Sequence, residues 1–342
     1  MKKENIERLE TLSSAMGVSS FEKPVADILK TQFKNCDCEL VKDRLGSIFA
    51  MKKSKNPDAK TVMIASSMDE IGLMVSEVHE NGTLDFIPLE DLSAASLLHQ
   101  KVKVYTRDDE PVLGVITADV NGMSTVETVK MGQLYIDLGC SESAEKILPG
   151  DLVMLDSTFE VENGHVAVGK ALNHRVLLEA GLEILENLKD EDLDYNLAVG
   201  GIAASVVGNR GTMTSTFVIE PDCALVLAGF DAKNSKASLQ KGKGIVLSYQ
   251  DRGMIPSKRM LYDVVDHFKD FQTSVGPIAN DGSFIHKTLS GCPSVAMGVT
   301  LSNCGSPNVM VDLNDVDSLV EKATEYCRTL TSEKIEYFGF GD

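Results

Sequence analysis

The sequence predicts an α/β fold interrupted by an all-β insert, and three observations predict it. The chain opens with helical periodicity followed by a continuous apolar strand. Between about residues 71 and 167 it switches to short alternating strands with no long helical period. Helices and strands then alternate again to the end. Residues 1–70 and 168–342 are therefore expected to form one discontinuous α/β domain, and residues 71–167 a separate small β-barrel.

Glu4–Met16 places Ile6, Leu9, Leu12 and Met16 at helical spacing, and Gly17 ends the run. Ser19-Ser20-Phe21-Glu22 reads as the capped start of a second helix with Val25, Ile28, Leu29 and Phe33 on one face. Ser47–Met51 and Thr61–Ala65 read as strands, and the unbroken apolar run of the second suits burial on both faces of a sheet. The insert carries strand patterns at Met74–His79, Thr83–Pro88, Val102–Tyr105, Val112–Ile116, Leu134–Leu138, Leu152–Leu155, Phe159–Glu162 and Val166–Gly169. Turn pairs such as Asn81-Gly82 and Asn163-Gly164 separate them. Beyond it, Val176–Leu188, Met260–Phe268, Phe284–Leu289 and Val316–Leu330 read as helices. Leu197–Ala204, Cys223–Ala228, Ile245–Leu247 and Val295–Val299 read as strands.

Net charge is −18, with 51 acids against 33 bases, which argues against nucleic-acid binding. No apolar run is long enough to span a bilayer, and Met1-Lys2-Lys3-Glu4 leads into a polar amphipathic segment without a signal-peptide core. A cytoplasmic protein with no membrane partner is expected, which makes the sequon Asn81-Gly82-Thr83 irrelevant. The seven cysteines contain no Cys-x-x-Cys pair, so reduced thiols rather than a structural zinc site are expected.

Several segments in order resemble the M42 family of dinuclear metalloaminopeptidases, which includes glutamyl and deblocking aminopeptidases. They are Gly17-Val18-Ser19-Ser20-Phe21-Glu22, Asp43-Arg44-Leu45-Gly46-Ser47, Met68-Asp69-Glu70-Ile71-Gly72-Leu73-Met74-Val75 and Leu134-Tyr135-Ile136-Asp137-Leu138-Gly139. Gly169-Lys170-Ala171-Leu172, Gly208-Asn209-Arg210-Gly211, Asp251-Arg252, Asn280-Asp281-Gly282 and Ser306-Pro307 continue the series. The resemblance implies a zinc-aminopeptidase-like α/β/α sandwich with an inserted β-barrel, and assembly into homo-oligomers. It also implies cleavage of N-terminal residues by two zinc or cobalt ions with a glutamate as general base.

Carried over residue by residue, that chemistry is missing. The histidine that the resemblance implies two residues before Asp69 is Ser67. The bridging aspartate is Asn173, and the glutamate pair of base and ligand is Ser205 and Val206. The remaining aspartate and histidine positions are Ala228 and Gly305. Two divalent ions need deprotonated or imidazole donors, which these side chains do not supply. No cofactor is therefore expected.

Asp69, Glu70, His174, Arg210, Asp231, Asp281 and Cys304 are the chemically capable groups expected near the old site. Two constellations are open among them. Asp69, Glu70 and Asp231 form a candidate Mg2+ or Ca2+ site, and Cys304 with His174 a candidate nucleophile and base. The leading expectation is a non-catalytic homologue that binds a peptide or small molecule in the old cleft. The rival is an active hydrolase with a rebuilt site around His174, Asp69, Asp231 or Cys304.

Overall fold

The computed structural model describes residues 1–118, 129–233 and 238–340. A mixed eleven-stranded sheet organises the α/β part. Its main path runs Glu39–Lys42, Ile48–Lys52, Asn196–Ile202, Thr61–Ser67, Cys223–Asp231, Ser294–Ser302, Val309–Asp312, Val166–Gly169, Glu160–Glu162. Val246–Gln250 branches from Ser294–Ser302 and pairs with Gln272–Val275. The four central strands, Asn196–Ile202 to Ser294–Ser302, are parallel, so their carboxyl ends share one edge of the sheet.

The continuous apolar runs follow from burial on both faces. Val62 and Ile64 pack into one core with Leu9, Leu29, Leu177 and Val316 from the helices Lys3–Ser14, Lys23–Lys34, Leu172–Leu188 and Leu313–Arg328. Met63 and Ala65, pointing the other way, pack with Ile219 and Ile285 from the helices Arg210–Ile219 and Gly282–Ile285. The result is three layers, helix–sheet–helix.

The insert is a closed antiparallel barrel in the order Gly72–Val78, Thr83–Pro88, Leu134–Asp137, Pro111–Ala118, Lys101–Tyr105, Leu152–Leu155. Leu73, Val75, Leu84, Val102, Val104, Ile116, Ile136 and Val153 fill it. Closure leaves no free edge for a second chain to pair with.

Two strands expected in the barrel lie elsewhere. Val166–Gly169 pairs with Val309–Asp312, and Glu160–Glu162 pairs with Val166–Gly169, so both extend the large sheet. Alternation reports that one face of a strand is buried and not which sheet buries it. The last barrel strand ends at Leu155, short of the expected boundary at 167.

The barrel sits on the α/β layer through Met16 and Val18, which pack on Leu152 and Met154. Gly72 permits this approach, because a Cβ there would collide with the Val18 side chain. Among the described residues no helix is long and apolar enough to cross a membrane.

Candidate functional site

A cavity of about 440 Å3 opens where the parallel strands end, between the sheet edge and the barrel. Ligand sites of α/β sheets form at this edge, because each strand delivers its following loop there. Ser67 ends Thr61–Ser67, Ala228 lies near the end of Cys223–Asp231, and Gly305 follows Ser294–Ser302. Asn173 is the second residue of the helix Leu172–Leu188, and Ser205 and Val206 follow Asn196–Ile202. These six positions, scattered over the chain, line one cavity together with His174, Asp231, Asp281 and Cys304. Asp69, Glu70 and Arg210 do not line it.

Asp281 organises the floor. Its carboxylate accepts from Ser67 Oγ at 2.6 Å, Ser205 Oγ at 2.9 Å, Thr212 Oγ1 at 2.6 Å and Asn209 Nδ2 at 3.1 Å. A buried carboxylate without a cation needs several donors, and three hydroxyls and an amide supply them. The arrangement fixes the proton positions: Ser67 and Ser205 spend their hydroxyl hydrogens on Asp281.

The loop carrying Ser205 is held from two more sides. Ala204 adopts a left-handed φ of 51°, and its N–H donates to Glu22 Oε1 at 2.7 Å. Val206 N–H donates to Asp69 Oδ2 at 2.8 Å. Ala171, two residues before Asn173, is also left-handed at φ 57°. Such geometry disfavours an L-residue by about 1–2 kcal/mol, and here it falls beside the cavity at both places.

Asp69 lies behind the wall. Its Oδ2 also accepts from Ser19 Oγ at 2.6 Å, while Oδ1 is buried with no hydrogen-bond partner. Burial raises the carboxyl to about 7, with Asp281 adding to the rise. His174 Nδ1 donates to the Asp69 backbone carbonyl at 2.6 Å. Desolvation lowers the His174 pKa, so the ring is neutral and its Nε2 carries a lone pair.

Glu70 is committed to the interior. It accepts from Lys170 Nζ at 2.9 and 2.8 Å and lies 3.6 Å from Arg175 Nη2. Lys170 also donates to Ala15 O, and Arg175 to Met68 O. All three charges are buried. A Cβ on Gly17 would collide with the Arg175 guanidinium, which accounts for glycine there.

This arrangement dismantles the Asp69, Glu70 and Asp231 cation site: Glu70 is held by Lys170, and Asp69 is shut behind the wall. Among the described residues the group of three metal-capable side chains within 4.8 Å of one another is Glu77, His79 and Asp85, on the barrel. The Cys304–His174 pair does not form a nucleophile either. Burial pushes the Cys304 thiol up to about 12, and among the described contacts no hydrogen bond joins Cys304 to His174.

The positions that the resemblance implies as ligands do not offer the donor set of a two-metal centre. At the positions expected to hold ions the wall offers a hydroxyl already bonded to Asp281, a neutral amide, and the side chains of Val206 and Ala228. Gly305 has none. Zinc or cobalt requires anionic or imidazole ligands in a fixed shell.

Sequence reasoning missed three acids of the wall, Glu90, Asp91 and Asp251. Burial raises the Glu90 carboxyl to about 7, with Asp69 and Asp91 contributing. Asp251 accepts from Asn280 Nδ2 at 2.8 Å. Glu90-Asp91 is the one signal in the chain for the first two, an acidic pair in a barrel loop next to apolar Leu89 and Leu92.

Comparison with known proteins places this geometry in a family. The family profile described as M42 glutamyl aminopeptidase matches residues 46–321. The glutamyl aminopeptidase of Lactococcus lactis is 27% identical, over 97% of this chain and 98% of its own. The crystal structure of a TET aminopeptidase from a marine-sediment Thaumarchaeota archaeon superposes with a TM-score of 0.93 at 29% identity, over 98% of this chain and 99% of that one. Pyrococcus horikoshii TET1 peptidase, which can assemble into a tetrahedron or a large octahedral shell, has the same fold. Its TM-score is 0.85 at 22% identity, with 95% of this chain and 100% of that one covered. The shared fold spans both the α/β layer and the closed barrel, and the chain belongs to the M42 glutamyl aminopeptidase family.

Proposed function

We propose that this chain keeps the M42 scaffold and its cavity, has lost dinuclear-metal peptide hydrolysis, and serves as a cytoplasmic ligand-binding subunit of a homo-oligomer. The observation that carries the reading is the donor set. Six positions that converge on the cavity hold Ser67, Asn173, Ser205, Val206, Ala228 and Gly305. Ser205, where the general base is expected, donates its proton to Asp281 and has no basic group to take one from water. The test is hydrolysis of aminoacyl-nitroanilides with added zinc or cobalt, which is expected to match the enzyme-free blank. Turnover that a chelator abolishes refutes the reading.

A second reading has one observation in its favour. His174 presents a neutral ring and Glu90 a carboxyl near 7 in the same cavity, and both suit proton transfer at neutral pH. A hydrolase rebuilt on these groups would turn over substrate in the presence of chelator and lose activity in His174→Gln and in Glu90→Gln.

Self-association rests on the assembly of the Pyrococcus horikoshii relative. It also rests on the exposed Met213 and Phe217 on the outer face of the helix Arg210–Ile219, which is apolar surface of the kind subunit contacts cover. Light scattering is expected to give a multiple of 37.0 kDa greater than one.

A further inference from the structure

We propose that the outer face of the barrel carries a binding site for one borderline divalent metal ion, zinc being the reference, built from Glu77, His79 and Asp85. None of the three lines the cavity at the sheet edge, so the site stands apart from the reading of that cavity.

The site follows from how the first barrel hairpin is built. Glu77 belongs to the strand Gly72–Val78 and Asp85 to Thr83–Pro88, and their register shifts between Val75 and Glu77, as at a β-bulge. Val75 fills the barrel and Val78 packs against that filling. The bulge absorbs the extra residue between them, so Glu77 turns outward and is exposed. His79, two residues on, shares that face. Its backbone is fixed by the turn: its N–H donates to the Thr83 carbonyl at 2.9 Å, and its carbonyl accepts from Gly82 N–H at 3.1 Å. Gly82 is left-handed at φ 84°, and a Cβ there would collide with the Cys140 backbone.

Three observations point to a cation held by this face. Glu77 sits directly opposite Asp85 across the strand pair. Like charges so placed destabilise a hairpin, and among the described ion pairs neither acid has a Lys or Arg partner. Next, His79 Nε2 lies 3.3 Å from Asp85 Oδ2, and among the described contacts no hydrogen bond joins them or engages the ring. Two ligands of one tetrahedral zinc stand about 3.3–3.5 Å apart, because each bond is about 2.0–2.2 Å long. The pair has that spacing. Last, one donor atom from each of the three side chains lies within 4.8 Å of the others. An imidazole with two carboxylates suits zinc, whereas magnesium and calcium take shells of oxygen. Water fills the fourth position. The side chains of His79 and Asp85 are 36% and 51% exposed, so the ion exchanges with solvent and a desalting column strips it.

The experiment is calorimetric titration of the full-length, chelator-treated protein with zinc chloride at equilibrium, with magnesium chloride as the hard-ion control. The expected result is saturable binding of one zinc per chain, at least about tenfold tighter than magnesium. His79→Gln and Asp85→Asn are each expected to weaken it about tenfold or more. His99→Gln and Cys140→Ser, which alter another exposed histidine and the exposed thiol beside the turn, are expected to leave it unchanged. Zinc affinity unchanged in His79→Gln and Asp85→Asn overturns the proposal, as does loss of binding in the two controls alone. Equal binding of magnesium, or no binding of zinc, overturns it too. If a ligand variant fails to fold, anomalous scattering from a zinc-soaked crystal of the wild-type protein decides. Zinc density between Glu77, His79 and Asp85 supports the proposal, and zinc found only elsewhere overturns it. Nitroanilide hydrolysis plays no part in these readouts, so failure here is distinguishable from failure of the functional reading.

Discussion

Two polar clusters lie on either side of the strand end at Ser67 to Glu70, and they are built on opposite principles. On the cavity side, one carboxylate, Asp281, is surrounded by neutral donors from Ser67, Ser205, Asn209 and Thr212. On the interior side, Glu70 is surrounded by the full charges of Lys170 and Arg175. The first cluster borders the open cavity through Ser67, Ser205, Asn209 and Asp281, which can exchange partners with water, while Thr212 is buried. The second is sealed, so each charge depends on the others. The comparison separates fold from cavity: what secures the strand end to helix Leu172–Leu188 is not what faces the cavity.

The sharpest way to break this contrast is Glu70→Gln. It leaves Lys170 and Arg175 as two buried cations without an anion, and a loss of about 3–5 kcal/mol is expected from equilibrium urea unfolding. Asp281→Ala is expected to cost less, about 2–3 kcal/mol, because Thr212 and Ser205 lose a buried acceptor while Ser67 and Asn209 can turn to water. A cost for Asp281→Ala equal to or above that of Glu70→Gln would erase the distinction.

Asp69 joins the two clusters and gives the comparison a pH dependence. Burial lifts its native pKa to about 7, above the unfolded value of about 3.9. The native state then holds the proton over that window. Its contribution to stability is full at low pH, declines as pH rises from about 4 to about 7, and is level above. Asp69→Asn removes this decline, so the variant gains on the wild type between pH 5 and pH 8, by at most about 1.4 kcal/mol per pH unit. Melting curves over that range check it, and a gap that widens towards acid would contradict the sign. The smallest effect is expected at Arg210, which is exposed, bonds only the Val207 carbonyl among the described contacts, and lies outside the cavity wall. Arg210→Ala should change stability by no more than about 0.5 kcal/mol.

Legibility in the sequence followed the range of the interactions. Thr61–Ala65 was readable because burial on both faces leaves an unbroken apolar run, as Val62 and Met63 pack into opposite cores. Helix Arg210–Ile219 was not, because Thr212, Thr214, Thr216 and Val218 favour strands. It is set by its surroundings, with Asn209 left-handed at φ 53° ahead of it and Gly211 pressed so close to the Ala203 carbonyl that no Cβ would fit. Val166–Gly169 was readable as a strand but not as a member of the large sheet, since its partner Val309–Asp312 lies far along the chain. The cavity was legible where sequence motifs carried it, at Ser67, Asn173, Ser205 and Asp281. Glu90 and Asp91 were not, because only the seating of the barrel brings its loop to the sheet edge.

The most direct test of the central claim is metal content and turnover measured on one sample. Protein loaded with excess zinc or cobalt, then freed of unbound ions, is analysed for bound metal and assayed on a panel of aminoacyl-nitroanilides. The account predicts metal far below one ion per chain and hydrolysis at the blank rate. Two ions per chain with chelator-sensitive turnover would contradict it.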